Sequence, residues 1–327
     1  MQSAADSAPT SGLVRQSFED IDQQAQCLTG YDQKYQQLSR GQFNGQFSTL
    51  LLGAELGLYF ENLNQLLDQA GSIPQDQYSV IFLMNKDQPC KLNGRDFSAD
   101  DLFFGRPGAS FQTLGRPGTH FCVVSFAREY LDPLMGATQG DAHAGFDAHL
   151  QDAVKTNPAF ARQLRAMVEG TVASFEQAPA IAPGSRRIPA IRAAFVDMIA
   201  GFSAADPANP LGRRPTNQNA VRMARDYIHA HAQDDISVAD ICAHVGVSRR
   251  TLEASFQTCL EQSPGMYLRL VRLNEIRRAL QSSRNNQRSI GDIAAEWGVW
   301  HLSRLAQYYS LQFGELPSQT RENQLVR

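Results

Sequence analysis

The sequence contains no apolar run as long as the 18 or more residues that a membrane-spanning helix needs, although 43% of its 327 residues are hydrophobic. It also contains no CxxC, no HExxH and no paired Cys/His spacing, and its five cysteines are scattered. Separated cysteines in odd number favour reduced thiols over a disulfide or zinc framework. Residues 1–10 have neither the basic nor the apolar stretch of a secretory signal. These absences predict a cytoplasmic protein without a membrane partner.

Lysine is absent from residues 213–327, which hold 15 arginines and 11 acidic residues, a net charge of +4. The rest of the chain holds 15 basic and 22 acidic residues, a net charge of −7. This asymmetry favours a polyanionic partner for the C-terminal part alone. Arginine also presents the planar fork that binds phosphates and the edges of guanine.

The first half of the sequence has the pattern of a small β-domain. Between residues 31 and 127, short apolar runs alternate with Gly, Pro, Asn and Asp clusters at a spacing of roughly ten residues, a pattern typical of an antiparallel sandwich or small barrel. Asn93-Gly94 predicts a tight hairpin between Cys90 and Phe97. We therefore predict an α+β protein that begins with an antiparallel, cupin-like β-barrel.

A helical extension and a linker follow the predicted barrel. Residues 146–177 and 188–202 carry apolar residues at a helical period, interrupted at Asn157-Pro158, and their stripes suit either a two-fold interface or a cover for the barrel. Residues 206–216 include three prolines and a glycine and predict a linker. The predicted organisation is a flexible arm (1–30), a ligand-sensing or dimerisation domain (31–205), the linker (206–216) and an all-α domain (217–327).

The all-α domain contains an internal repeat. Residues 236–247 and 288–299 match at a shift of 52 positions, which places Ser237 on Ser289 and Gly246 on Gly298. Ser-x-x-Asp caps a helix start and glycine ends a helix, so each copy predicts a short helix followed by a turn. A second helix follows each turn, over residues 248–260 and 301–311. The pattern predicts two helix-turn-helix units joined by a long helix over residues 266–280.

Several motifs in this domain resemble the AraC/XylS family of bacterial transcription regulators. The matching stretches are residues 246–256 (GVSRRTLEASF), the Ser263-Pro264 pair, residues 293–298 (IAAEWG) and residues 313–317 (FGELP), within a resemblance that spans about residues 217–320. Residues 247–252 and 297–302 are most similar to regulators of the ethanolamine-operon type. The resemblance implies a sequence-specific regulator or activator that binds double-stranded promoter DNA. It also implies homodimerisation through the N-terminal domain, a small-molecule effector and contact with RNA polymerase.

The predicted DNA contacts lie on the second helix of each unit and the turn before it: Ser248, Arg249, Arg250, Thr251, Glu253, Ala254 and Gln257 in the first unit, and Trp300, His301, Leu302, Ser303, Arg304 and Gln307 in the second. The family's base-reading positions fall on Arg250, Glu253, Ala254, Leu302, Ser303, Arg304 and Gln307. Ala254 and Gln307 stand where the family commonly has arginine, and Glu261 stands where it commonly has glycine. The operator sequence therefore cannot be inferred from the resemblance.

Two other functions are compatible with parts of the sequence. The helical half could bind another regulator, as a DNA-independent adaptor or anti-activator. A cupin-like metalloenzyme needs clustered histidines, but the barrel segment holds only His120, and His143 and His149 lie beyond it in no ligand spacing. No catalytic triad, phosphate loop or dinucleotide fingerprint is present, so we predict neither an enzyme nor a cofactor. Arg106 and Arg116 lie in Gly-Arg-Pro-Gly turns that could face an anionic ligand.

Overall fold

The computed structural model describes residues 12–28, 30–139, 153–179, 185–205 and 216–326. Strands dominate the chain up to Ala127 and helices dominate the rest, which is the predicted α+β order. Among the described helices, none combines the length and hydrophobicity that a membrane span requires.

The first sheet has seven antiparallel strands and is buried on both faces at its centre. In sheet order they are β1 (Gly12–Phe18), β3 (Gly45–Leu51), β4 (Leu56–Asn62), β11 (His120–Ala127), β6 (Gln77–Leu83), β9 (Asp101–Gly105) and β12 (Ala153–Thr156). Val80 and Phe82 of β6 belong to one core cluster, whereas Ile81 and Leu83 belong to another. Because both faces of β6 are covered, it reads in the sequence as a continuous apolar run.

The second sheet has five antiparallel strands and packs against the first. Its order is β2 (Asp32–Gln37), β5 (Leu67–Ser72), β10 (Ser110–Gly115), β7 (Cys90–Leu92) and β8 (Arg95–Phe97). The hairpin between β7 and β8 is confirmed, with φ values of 50° at Asn93 and 75° at Gly94. Positive φ at both positions is the geometry that an Asn-Gly turn supplies at little cost.

The two sheets form a sandwich, so the predicted closed barrel is wrong. Within the described residues β1 pairs only with β3, and β2 pairs only with β5, which leaves both sheets open at an edge. The side chains between the sheets form one apolar cluster that includes Phe47, Ile81, Phe103, Phe111 and Phe121. Alternation along a strand buries one face equally well in a barrel and in a sandwich, so the pattern could not distinguish them.

The predicted flexible arm is wrong for residues 12–28. Strand β1 pairs with β3 over its full length, and helix α1 (Ile21–Ala25) follows it. A carboxylate oxygen of Asp20 caps this helix by accepting hydrogen bonds from the backbone N–H groups of Asp22 and Gln23, at 2.9 and 3.0 Å. The preceding residues 1–11 lie outside the described part of the chain.

Three helices, α2 (Arg128–Gln139), α3 (Pro158–Gln177) and α4 (Arg187–Ala205), cover the outer face of the first sheet. Leu164, Val168 and Phe195 share one core cluster with Val80 and Phe82, so the apolar stripes cover the sheet. The predicted helix start is corrected, because residues 153–156 form β12 and the Asn157 side chain caps α3. Residues 146–152, His143 and the predicted linker up to residue 215 lie outside the described residues.

Seven helices form the C-terminal domain: α5 (Thr216–Ala230), α6 (Val238–Val245), α7 (Arg249–Leu260), α8 (Pro264–Gln281), α9 (Ile290–Glu296), α10 (Leu302–Phe313) and α11 (Pro317–Val326). This domain packs on the outer face of the second sheet. Leu66 and Leu114 from the sheet side share a core cluster with Val221, Ile228 and Leu270 from α5 and α8. The molecule thus has four layers, with helices on the outside and two sheets between them.

His229 on α5 is held neutral beside this interface. Its Nε2 lies 3.1 Å from the Tyr267 hydroxyl, while its Nδ1 is buried without a hydrogen-bond partner in the described structure. Burial, followed by the positive charge of Arg225 and then of Lys34 and Arg278, lowers the pKa of His229 from 6.5 to about 3. His229 therefore binds a proton near pH 6.5 in the unfolded chain but only near pH 3 in the folded chain.

We predict that His229→Gln flattens the decline of stability in acid. The neutral imidazole contributes fully above pH 6.5, and this contribution is lost as the pH falls towards 3, by up to about 1.4 kcal/mol per pH unit. Urea unfolding of both proteins between pH 7 and pH 4.5 measures the difference. His301→Gln changes an exposed histidine of the same domain and should keep the wild-type slope. Equal slopes for the wild type and His229→Gln would contradict the prediction.

Candidate nucleic-acid interface

The first helix-turn-helix consists of α6, a turn at Gly246 and α7. The Ser237 side chain accepts a hydrogen bond from the backbone of Asp240, whose carboxylate accepts one from the backbone N–H of Ser237 at 2.8 Å, so the predicted capping signal is confirmed. Gly246 ends α6 with a φ of 73°, a left-handed conformation that glycine adopts without strain. The Ser248 hydroxyl then caps α7 at 3.1 Å from the Thr251 nitrogen. Local signals alone therefore define this unit.

The outer face of α7 is free of packing contacts. Leu252, Ser255 and Phe256 are buried, as predicted. The seven predicted contact residues of this unit are all exposed: Ser248, Arg249, Arg250, Thr251, Glu253, Ala254 and Gln257. Arg249 pairs with Glu253 at 2.8 Å, whereas Arg250 has no ion-pair partner among the described residues. Arg250 is therefore the uncompensated positive charge at the start of this helix.

The second unit has the same scaffold with a weaker cap on its outer helix. Ser289 caps α9 by accepting from the Asp292 nitrogen at 3.0 Å, and Gly298 has a φ of 70°. Helix α10 begins after His301, which makes no side-chain capping bond. The predicted range for this helix is confirmed and extended to Phe313.

The outer face of α10 is more apolar than that of α7. Leu305 and Tyr309 are buried as predicted, while the six predicted contact residues, Trp300, His301, Leu302, Ser303, Arg304 and Gln307, are exposed. Trp300 is 75% exposed and Leu302 is 53% exposed. Tyr308 lies beside them along the helix, with the Arg269 guanidinium 4.8 Å from its ring. Arg304 is the only cation among the six residues.

Helix α8 joins the two units and is 18 residues long, which corresponds to about 27 Å. The Ser263 hydroxyl caps it at 3.2 Å from the Met266 nitrogen, and Pro264 is its first residue. Leu270 packs in the core of the first unit, whereas Leu273 and Leu280 pack in that of the second. One helix therefore belongs to both cores.

Residue 261 explains one departure from the family pattern. Glu261 ends α7 with a φ of 57°, in the conformation that glycine favours. Its carboxylate forms an ion pair with Arg116 in the turn between β10 and β11. The anionic group that Arg116 faces therefore belongs to the same chain. Both Glu261 and Arg116 stand out in the sequence, but no sequence pattern indicates that their side chains are in contact.

The first domain has a cleft beside α3 that is large enough for a small molecule. It measures about 480 Å³ and lies between the first sheet and α3. Leu13, Phe60 and Val172 line it together with His120, and the ion pair of Arg15 and Glu176 lies at its edge. Burial lowers the pKa of His120. Within the described residues, no group of three or more His, Cys, Asp or Glu side chains is arranged to hold a metal, and His149, like His143, lies outside them.

Residues 241–323 match the family model described as "Helix-turn-helix domain". Over 106 residues the chain is 36% identical to the probable thc operon regulatory protein of Rhodococcus erythropolis, covering 32% of each protein. Over 94 residues it is 35% identical to the XylDLEGF operon transcriptional activator of Pseudomonas putida, covering 29% of each. The chain thus spans about a third of the length of these curated relatives.

A solved structure of an AraC-type transcriptional regulator from Chromobacterium violaceum is 30% identical, with a TM-score of 0.31, over 33% of this chain and 93% of that one. The family model and the two sequence relatives agree with the helices and turns of the C-terminal domain. Residues 241–323 are thus a helix-turn-helix domain similar to the corresponding part of these transcription regulators.

Proposed function

We propose that the protein is a sequence-specific DNA-binding transcription regulator whose two helix-turn-helix units contact one promoter site together. One observation supports this most directly: α7 and α10 both expose the residues at their N-terminal ends, and α8 joins their cores. The N-terminal end of a recognition helix is the part that enters the major groove. Two such helices about one helical turn of DNA apart, roughly 34 Å, would meet adjacent major grooves on one face.

The two units are proposed to read DNA by different chemistry. Arg250 would bind guanine with both arms of its guanidinium, and Glu253 would accept a hydrogen bond from cytosine once it leaves Arg249. In the second unit Arg304 and Gln307 supply the polar contacts. Phosphate neutralisation by arginine would supply much of the affinity, which would fall steeply as salt rises.

The first domain is proposed to supply regulation. The cleft beside α3 has the size and mixed lining of a small-molecule site, so we place the effector there. Self-association, contact with RNA polymerase, action as an activator and kinship with ethanolamine-operon regulators belong to the same proposal. They are supported by the resemblance to AraC/XylS-type regulators and, for activation, by the name of the Pseudomonas putida relative.

A second candidate function is that of an adaptor that binds another protein through the second unit. The exposed Trp300, Leu302 and Leu311 favour it, because exposed apolar groups close together often mark protein interfaces. In the first function the second unit binds DNA, whereas in the second it binds a protein. A DNA footprint distinguishes the two functions, because only the first predicts protection by the second unit.

We expect a hydroxyl-radical footprint of the full chain on the DNA upstream of its own gene to show two protected segments. Their centres should lie about one helical turn apart on one face of the duplex, because both units are held in one chain. Protection of a single segment would leave the second unit available for a protein partner. If this DNA shows no protection and selection from random sequence enriches no duplex, DNA binding is contradicted and the adaptor is favoured.

We predict that Arg250→Ala weakens binding to the protected site by about 5- to 150-fold, the equivalent of one lost bidentate base contact of about 1–3 kcal/mol. Binding to unrelated DNA should fall much less, as measured by titration at fixed salt. Arg249→Ala removes a neighbouring arginine that is already paired with Glu253, and a smaller loss of specific binding is expected. If Arg250→Ala weakens specific and non-specific binding by the same factor, Arg250 contacts only phosphate.

A further inference from the structure

The first helix-turn-helix unit is fixed to the second sheet by a buried ion pair. The Asp68 carboxylate on β5 is fully buried and accepts hydrogen bonds from Arg225 Nε at 3.0 Å and from the Tyr267 hydroxyl at 2.7 Å. The Gln112 side chain donates to its other oxygen at 3.0 Å. Arg225 lies on α5 and Tyr267 on α8, so one sheet residue holds the two helices that pack against α7. Replacing either member by an apolar residue would leave the other charge buried without its partner.

The second unit is fixed to the strand and loop at the edge of the same sheet. The Gln312 side chain on α10 donates to the backbone oxygens of Gln37 and Ser39, at 2.9 and 2.8 Å. The Gln312 backbone oxygen accepts from the Gln37 side chain at 2.9 Å and from the Gly41 nitrogen at 3.0 Å. Asn274 on α8 exchanges two further hydrogen bonds with the Gln37 backbone, at 3.1 and 3.2 Å.

Both recognition helices are held at their C-terminal ends. Arg116 pairs with Glu261, the residue that ends α7, and the Asn93-Gly94 turn lies against Cys259. Gln312 is the last but one residue of α10. The opposite ends, which carry Arg250 and Arg304, remain exposed. The second sheet and its loops therefore contact α7 and α10 at their C-terminal ends, away from the proposed DNA contacts.

We infer that this sheet sets the spacing between the two DNA segments that the protein accepts, and that Glu261 and Gln312 are positioning residues for that choice. The inference rests on the proposed DNA binding. Helix α8 joins the units, Trp297 packs against both of their cores, and the sheet supplies a further connection to each unit. Together these connections restrict the angle and the distance between the recognition helices. The affinity for DNA whose second major groove is displaced should therefore be lower. Glutamate at position 261 keeps the contact with Arg116 that glycine would lack.

The test compares affinities of the full chain for a series of duplexes. A site selected from random DNA with the wild type is altered by one or two base pairs, added or removed between the two protected segments. One added base pair moves the second segment by about 3.4 Å and turns it by about 34°. We expect the wild type to lose at least about tenfold in affinity, because at least one base contact is broken.

The variant for comparison combines Glu261→Gly with Gln312→Met. Glycine suits the backbone at position 261, and methionine resembles glutamine in length, so these two side-chain contacts are lost with little change in packing, while the bonds of the Gln312 backbone remain. We expect about tenfold weaker binding at the original spacing, since the orientation is held less firmly before DNA binds. The loss on adding one base pair should shrink to about threefold or less. A merely structural role would lower affinity equally at every spacing.

Two further variants separate the ion pair from other effects. The charge reversal that combines Arg116→Glu with Glu261→Arg should restore the spacing preference that Arg116→Ala weakens. Arg128→Ala removes a matched arginine from a surface pair with Asp132 on α2, which covers the sheet remote from the C-terminal domain, and should leave the preference unchanged. Equal spacing profiles for the wild type and the double variant would overturn the inference alone. A failure to enrich any DNA sequence would overturn the proposed function and the inference with it.

Discussion

The buried carboxylate of Asp68 is the contact on which the arrangement of the two domains depends. An ionised carboxylate away from water needs charged or hydrogen-bonding partners, and here they come from two helices of the C-terminal domain. Breaking such a pair costs several kcal/mol because the remaining charge stays buried. The apolar contacts of Leu66 and Leu114, the pair of Arg116 with Glu261 and the bonds of Gln312 all form around this fixed point.

The C-terminal domain could be predicted closely from the sequence because its signals are local. Ser237 and Asp240, Gly246 and Ser248 each act within four residues, so caps and turns are legible without knowledge of the fold. The sandwich was harder, since its form depends on which distant strands meet. Strand β12 exists because Val154 pairs with Phe103, and β1 because Val14 pairs with Thr49. Neither pairing can be predicted from the residues of β12 or β1 alone.

The candidate site follows the same rule. Exposure of the outer faces of α7 and α10 follows from helical period alone, and every predicted contact residue is exposed. The contacts behind those faces could not be predicted, because Gln37 and Gln312 lie 275 positions apart. Polar residues such as glutamine also suit an exposed surface and a buried hydrogen bond equally well, so their type does not reveal their partner.

The contacts of the second sheet with α7 and α10 have a consequence for how the two domains can change independently. Grafting a different first domain onto this helix-turn-helix domain would have to preserve Asp68, Gln37 and Arg116 or find substitutes for them. A chimera without them would retain every proposed DNA-contact residue and, under the spacing proposal, would discriminate less between sites of different spacing. The two domains are thus linked by residues that lie outside both the proposed DNA contacts and the proposed effector cleft. If the protein acts as proposed, a change in promoter choice would begin in a turn of the first domain.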